Sequence, residues 1–247
     1  MLATYSTVLG DEVRIHFDLL PFDRGLLRTE TGESGGRWEM TSAGFRAILP
    51  AGTLGRPPLK ILAQVHLKDD FEITTQYKIA SLPHPTAKSG SNNVEIAISG
   101  SDGFVSCFRN NEAGARGDGY GFYVDYSDQR GSLFRHFPTT ATRGLLGLKR
   151  IGKTLHFSSG EVGGELAELG SCEFGRAPIT EVVFQALANG TTDGLDVWFE
   201  RVEVRANKIV RLHRPPSEGF RWWVWGIVAG VAIIVVVWAG RRWVVNR

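Results

Sequence analysis

The residue types best suited to binding a ligand are concentrated in one polar, glycine-rich segment. It reads RNNEAGARGDGY over residues 109–120 and joins two segments that alternate like strands. It supplies carboxamides, a guanidinium, a carboxylate and an aromatic ring, at Asn110, Asn111, Arg116, Asp118 and Tyr120. These groups can hydrogen-bond to and stack on a hydroxyl-rich molecule such as a sugar, so they are the candidate ligand-binding residues. A solvated hairpin loop explains the same composition, because Gly and Asp are common in turns.

A phosphate-loop pattern also occurs, but a hairpin explains it better. Gly147, Gly152, Lys153 and Thr154 fit GxxxxGK[ST]. A phosphate loop needs a helix after it, so that the helix N-terminus meets the phosphate, whereas residues 155–157 continue a strand pattern. The sequence therefore predicts a turn at Gly152 and Lys153 and no nucleotide binding.

The histidines and cysteines predict neither a metal site nor a cofactor. The 6 histidines have no metal-ligand spacing, and Cys107 and Cys172 have no CxxC spacing for zinc. The two cysteines form one disulfide bridge or none.

The net charge of +2 is unevenly distributed along the chain. Residues 221–247 hold four of the 28 basic residues and none of the 26 acidic ones, which leaves 24 basic against 26 acidic residues before them. The folded part is mildly acidic, at −2, and lacks the clustered positive charge of a nucleic-acid-binding domain. No nucleic-acid partner is expected.

An uncharged apolar run near the end of the chain predicts a membrane span. Residues 222–240 read WWVWGIVAGVAIIVVVWAG, and a helix of that length measures about 28 Å, close to the thickness of a bilayer's hydrocarbon core. Trp222, Trp223 and Trp225 lie at one end and Trp238 at the other, where indole rings favour the headgroup layer. A buried strand is the alternative, but strands are much shorter. With the lipid bilayer as partner, the expected anchor has three parts: a linker at 211–221, a transmembrane helix at 222–240 and a basic tail at 241–247.

The anchor sequence favours a cytoplasmic domain and allows a homodimer. The span lies so close to the end that it would leave the ribosome after synthesis finishes, and basic residues before it outnumber those after it. Gly226 and Gly230 lie four residues apart on one helix face, which lets two helices pack closely. The general abundance of Gly in membrane spans explains the same spacing equally well.

The chain before the anchor alternates as β-strands do. Turn residues separate short alternating runs and no helical pattern intervenes, although residues 164–169 could form a helical turn. The runs at 59–67 and 71–79 predict a hairpin that turns at residues 68–70. A switch of apolar parity within 195–205 predicts a β-bulge near Glu200 and Arg201. The sequence thus predicts an all-β fold, an antiparallel two-sheet β-sandwich over residues 13–210, preceded by an N-terminal extension at 1–12.

Four stretches carry a resemblance to a known superfamily. RGLLGLKRIGKTLHF (143–157), PITEVVFQALANG (178–190) and LDVWFERVEVRA (195–206) resemble closing strands of the concanavalin A-like lectins and glucanases, the laminin G-like jelly rolls. DFEITTQYKI (70–79) is similar to an early core strand of that group, and the chain as a whole is similar to membrane-anchored bacterial members of the superfamily. The resemblance implies a jelly-roll sandwich.

The resemblance also frames the choice between binding and hydrolysis. The superfamily's glucanases resemble one another in a strand of alternating acids, because the nucleophile and general acid must flank the sugar bond about 5 Å apart. Here Glu95 is a lone acid in its strand, and Asp196 and Glu200 straddle the predicted bulge. The sequence therefore predicts a membrane-anchored, non-catalytic binding module for a glycan or a protein. A glycan-active hydrolase and a protein-interaction scaffold are the alternatives.

Overall fold

The computed structural model describes residues 27–31, 35–52, 58–86, 90–114, 116–189 and 193–211. These residues form 14 β-strands. The strands are β1 (Leu27–Glu30), β2 (Arg37–Thr41), β3 (Gly44–Leu49), β4 (Leu59–Ala63), β5 (Val65–Ser81), β6 (Ser91–Gly100), β7 (Gly103–Glu112), β8 (Gly117–Tyr126), β9 (Ser132–Pro138), β10 (Arg143–Ile151), β11 (Thr154–Gly160), β12 (Ala167–Glu173), β13 (Ile179–Asn189) and β14 (Leu195–Arg211).

Several sequence predictions fall outside this description. The N-terminal extension, the first part of the predicted sandwich at 13–26 and the segment 222–240 with its Trp and Gly residues lie outside the described residues. Within the part that is described, no helix has the length and apolar composition needed to cross a bilayer.

The strands form two antiparallel layers that share one connection. Sheet A has the order β2-β3-β14-β5-β10-β11-β12, and sheet B has the order β1-β4-β13-β6-β7-β8-β9. The layers meet where Leu67 of β5 pairs with Ile179 of β13. The predicted all-β antiparallel fold is confirmed.

Alternating apolar side chains pack the two sheets against each other. On β5, Phe71 and Ile73 point inward and are buried, while Glu72 between them stays partly exposed. Across the core, Phe122 of sheet B stacks on Phe157 of sheet A with ring centroids 4.0 Å apart. Each such burial contributes roughly 1.5–3 kcal/mol, so the period-two pattern that predicted the strands also stabilises the sandwich.

The prediction of a hairpin that turns at residues 68–70 is wrong. β4 ends at Ala63, and β5 runs without interruption from Val65 to Ser81. Asp69 adopts a left-handed conformation with φ 59°, and pairing with β14 shifts register nearby. Asp tolerates that conformation, so the polar residues form a bulge inside one long strand rather than a turn.

Of the other local predictions, two are confirmed and one is wrong. The predicted bulge is confirmed by a register shift between Phe199 and Arg201. The hairpin at Gly152 is also confirmed, since Ile151 pairs with Thr154 and Gly152 has φ 60°. A helical turn at 164–169 is not formed, because the chain enters edge strand β12 at Ala167. The two cysteines are both free.

Candidate ligand-binding face

One face of sheet B combines aromatic rings with polar side chains. Along β6, Val94, Ile96 and Ile98 belong to the core, so Asn93 and Glu95 point to the opposite side. The register of the next three strands places further residues on that side: Phe104, Ser106, Phe108, Asn110, Gly119, Gly121, Tyr123, Phe134 and His136. We call this side the outer face of sheet B.

Five rings lie next to one another on the outer face. Phe134 stacks on Phe108 and on His136, with centroid separations of 6.0 and 6.5 Å. Tyr123 is paired with Phe134 in register and contacts Phe104 at 6.4 Å. Phe108 is buried, but the other four rings keep part of their surface exposed, 37% in the case of Phe104. A ligand that stacks on rings therefore has accessible surface here.

Two glycines of β8 let the rings lie close to the sheet. A Cβ atom at Gly121 would lie 2.6 Å from Cε2 of Phe108, and one at Gly119 would overlap the imidazole of His136. Any larger residue would push the rings away. These glycines, which suggest only a turn in the sequence, have a packing role.

Polar side chains beside the rings form a hydrogen-bonded group. Gln185 Nε2 and Asn93 Nδ2 both donate to the Glu95 carboxylate, the second at 3.2 Å. The Ser91 hydroxyl donates to Asn93 Oδ1, and Asn110 Nδ2 donates to Ser91 Oγ at 3.4 Å. Burial raises the pKa of Glu95, although the two donated hydrogen bonds act to lower it. Glu95 thus holds its proton to a higher pH than an exposed glutamate.

Three buried polar atoms adjoining this group have no hydrogen-bond partner: Asn110 Oδ1, Glu112 Oε2 and His136 Nε2. Asn110 is only 1% exposed and pairs in register with Gly119, over which the His136 ring lies. Burial lowers the pKa of His136, which favours the neutral ring. Leaving one buried acceptor unsatisfied costs roughly 1–3 kcal/mol, so this spot gains from a ligand that supplies partners.

Arg116 reaches over this spot from the turn between β7 and β8. Its Nη1 donates to Glu112 Oε1 at 2.7 Å, and its guanidinium lies 4.9 Å from the centroid of Phe134. The side chain is 57% exposed. Gly114 and Gly117 flank it with φ of 80° and 58° and open space around both. Because a cation–π contact at an exposed site contributes only about 0.5–1 kcal/mol, Arg116 can leave the Phe134 ring at small cost.

The structure divides the five predicted binding residues between the two sides of sheet B. Asn110 and Arg116 belong to the outer face. Asn111, Asp118 and Tyr120 have the opposite parity and point toward the space between the sheets.

The inward residues have structural partners at the end of the sandwich. Asp118 Oδ1 accepts hydrogen bonds at 3.1 Å from Arg109, whose side chain is 3% exposed. The hydroxyl of Tyr120 lies 2.9 Å from that of Tyr77, and burial raises the pKa of Tyr77. Asn111 bonds to the loop that follows β5. These contacts join β5, β7 and β8.

Sequence reasoning missed the rings of the outer face. The signal was present in β7, where Phe104 and Phe108 alternate with the core residues Val105 and Cys107. A strand that is apolar on both faces needs a second apolar surface to contact, and the pattern alone does not say whether that surface is protein or ligand.

The acids of the outer face do not form a glycosidase pair. Such pairs lie about 5–10 Å apart. Among the described residues of the strands next to β6, Glu112 and Glu181 share this face with Glu95. Each is offset from it by four register positions, which is about 13 Å along a strand. The described chain also contains no group of three His, Cys, Asp or Glu side chains placed to hold a metal ion.

A cavity of about 750 Å³ opens on sheet A, where β5, β10 and β14 adjoin. Its lining is largely charged and includes Asp70, Glu72, Lys149 and Arg205. Among the described residues that line it, Phe71 supplies the only ring and is 3% exposed. Despite its volume, this cavity offers a sugar no ring surface among the described residues, so the outer face of sheet B is the better candidate.

Comparison with known proteins places the fold. No protein-family model and no curated protein sequence matches the chain. Among solved structures it is similar to the CBM2 module of the evolved Dit of Lactobacillus casei BL23 phage J-1, with a TM-score of 0.56 and 10% identity. That match covers 79% of this chain and 96% of the module.

Two further similar structures are those of a GH16 protein and of a lectin. A GH16 protein of the Bacteroides ovatus mixed linkage glucan PUL, solved with a product, matches with a TM-score of 0.52 and 11% identity over 77% of this chain and 99% of its own. A Bauhinia forficata lectin, solved with GalNAc, matches with a TM-score of 0.52 and 9% identity over 82% of this chain and 100% of its own. At such low identities these likenesses concern the fold alone. The protein has the concanavalin A-like jelly-roll fold shared by lectins, GH16 glucanases and CBM2 modules.

Proposed function

We propose that this protein is a non-catalytic carbohydrate-binding module that holds glycans on the outer face of sheet B. The observation that most supports the proposal is the row of partly exposed rings beside three unpartnered polar atoms. Sugars stack their apolar C–H faces on aromatic rings and hydrogen-bond through their hydroxyls, so they match both features. Proteins of the same fold that were solved with GalNAc or a glucan product make a glycan the first ligand to test.

In the proposed binding mode, a sugar ring replaces Arg116 over Phe134. Its hydroxyls would then be directed toward Asn110, Glu112 and His136. Glu112 pairs with Arg116, His136 stacks on Phe134, and Asn110 pairs in register with Gly119, over which the His136 ring lies. The sugar supplies hydrogen bonds that the ligand-free face lacks, which favours the exchange.

The spacing of the acids supports binding rather than hydrolysis. Glu95 has the raised pKa that a general acid needs. However, the acids that share its face on neighbouring strands, Glu112 and Glu181, are too distant to act as nucleophile or base. We therefore assign Glu95 a role in orienting Asn93 and Gln185.

A glycan array tests the proposal. The full chain in detergent micelles would be compared with Phe134→Ala and with the matched control Trp198→Ala, a half-buried ring on sheet A. We expect wild type to bind at least one class of glycan, Phe134→Ala to bind it roughly tenfold more weakly, and Trp198→Ala to bind normally; tenfold corresponds to about 1.4 kcal/mol.

The other outcomes identify the alternatives. If no glycan binds, the carbohydrate proposal fails and a protein-interaction scaffold takes its place. If wild type releases new reducing ends from a bound glycan and Glu95→Gln does not, the protein is a glycan-active hydrolase.

We also propose that segment 222–240 anchors the module to a membrane as a single-pass helix, with the domain on the cytoplasmic side. The support is the length of the apolar run and its Trp and Arg flanks. The chain should stay in the membrane fraction after alkaline carbonate washing, and protease added to intact cells should leave the domain whole. Release by carbonate would contradict the anchor, and digestion would contradict the orientation.

Pairing of two anchors through Gly226 and Gly230 is part of the same proposal. Small residues four apart let helix backbones touch, which replaces the missing hydrophobic force within lipid. Replacing both glycines with Ile should abolish crosslinked dimers in membranes while insertion continues. An unchanged dimer fraction would contradict this pairing.

A further inference from the structure

The polar group on the outer face of sheet B uses its hydrogen-bond donors and acceptors unevenly. The carboxamide N–H groups of Gln185, Asn93 and Asn110 donate within the group, to Glu95, Glu95 and Ser91 in turn. The Ser91 hydroxyl donates to Asn93. Each of these carboxamides therefore uses one of its two N–H groups within the polar group.

The atoms here that lack any hydrogen-bond partner are mainly acceptors. Asn110 Oδ1 and Glu112 Oε2 can only accept hydrogen bonds, and neither has a partner. His136 Nε2 also lacks one, and as a neutral ring His136 can accept there too. A ligand completes this spot by bringing donors.

The nearby cations are already engaged. Arg116 pairs with Glu112 and covers Phe134, whereas Arg109 points inward, where it bonds to Asp118 and to the carbonyl of Ala141. Lys60 lies on the same face but three strands and two register positions away from Asn110, at about 16 Å between Cα atoms. An anionic group that reaches Asn110 thus meets free acceptors and a carboxylate, with these three cations paired or distant.

We infer that the site selects glycans that present hydroxyl or ammonium donors and rejects those that place carboxylate or sulfate groups on it. The inference rests on the proposed glycan binding and adds the chemical class of the ligand. Glu112 is the residue that sets this preference, because its free oxygen carries negative charge and its other oxygen holds Arg116.

Replacing Glu112 tests whether this residue sets the preference for neutral over acidic glycans. Glu112→Gln removes the negative charge and releases Arg116 from its ion pair, so the same face gains a free guanidinium. We expect binding of acidic glycans to rise at least tenfold relative to neutral ones. The matched control Glu161→Gln, at an exposed residue after β11, should leave the preference unchanged.

The experiment is an array printed with neutral, amino, uronate-containing and sulfated glycans, read with full-length wild type, Glu112→Gln and Glu161→Gln. The inference requires that wild type bind neutral or amino glycans at least tenfold more strongly than acidic ones and that Glu112→Gln reduce this ratio. Equal or stronger binding of acidic glycans by wild type would overturn the inference while the proposed function stands. A ratio unchanged in Glu112→Gln would overturn the role of Glu112. Binding of no glycan at all would overturn the proposed function and the inference together.

Discussion

Glu95 is a carboxyl group that burial and hydrogen bonds affect in opposite directions. Only 4% of the residue is exposed, and burial raises its pKa while donors from Gln185 and Asn93 act to lower it. The net direction is upward, so the folded chain retains the proton at a pH where the unfolded chain, with a pKa of about 4.3, has lost it. Protonation of Glu95 is therefore linked to folding.

Glu95→Gln should change how stability depends on pH. Below about pH 4, Glu95 is protonated in both states and its contribution to the unfolding free energy is fully present. That contribution is lost as the pH rises through the raised pKa of the folded state. The variant has no such loss, so the unfolding free energy of wild type minus that of the variant should fall from pH 4 to pH 8. Urea unfolding of both full-length proteins at pH 4 and at pH 8 measures this difference in unfolding free energy. A constant or rising difference would contradict the assigned direction.

Asp118 pairs with a buried guanidinium, although the sequence suggests that it faces a ligand. Asp118→Ala would leave Arg109 with only its carbonyl partners and should lower the unfolding free energy by about 2 kcal/mol, as for hydrogen bonds to charged groups. Asp128→Ala, which removes the exposed partner of Arg130, should change it far less. Equal effects in denaturant unfolding would contradict the structural role of Asp118.

Among the elements, β5 is the clearest case in which local pattern misleads. Lys68, Asp69 and Asp70 between two apolar runs are typical of a turn, yet β5 continues through them. Arg150 fixes the bulge from the core side, because its Nε donates to the carbonyl of Asp69 at 2.8 Å. A long-range contact of this kind leaves no periodic trace in the sequence.

The left-handed conformation of Asp69 predicts a side-chain preference. Asp69→Val should lower the unfolding free energy by roughly 1–2 kcal/mol, because a β-branched residue fits positive φ poorly, whereas Asp69→Gly should change it little. Thermal unfolding of the two variants beside Lys68→Val, at a neighbour without positive φ, measures the effect. Equal tolerance of Val and Gly at position 69 would contradict the bulge.

Period-two alternation predicted most of the strands of the sandwich, since each strand buries one face. It missed β1, β2 and β12, which are short or largely exposed and therefore carry few apolar residues. For the site, composition identified Asn110 and Arg116 but also Asn111, Asp118 and Tyr120, because composition does not reveal parity across a strand.

For the whole molecule, the two sheets present different surfaces. The outer face of sheet B carries rings and unfilled acceptors, whereas sheet A carries ion pairs such as Arg46–Asp196 and Arg143–Glu200 beside a charged cavity. Because the row of partly exposed rings and the free acceptors lie on sheet B, we expect glycans to bind this sheet and leave sheet A unchanged.

Hydrogen exchange with mass spectrometry tests this claim most directly. The full-length protein would be compared with and without the glycan that gives its strongest array signal. We expect slower exchange across β7–β9, residues 103–138, and unchanged exchange across β10–β12, residues 143–173. Slower exchange confined to residues 70–72, 149–151 and 205–207 around the cavity of sheet A, with β7–β9 unaffected, would contradict it.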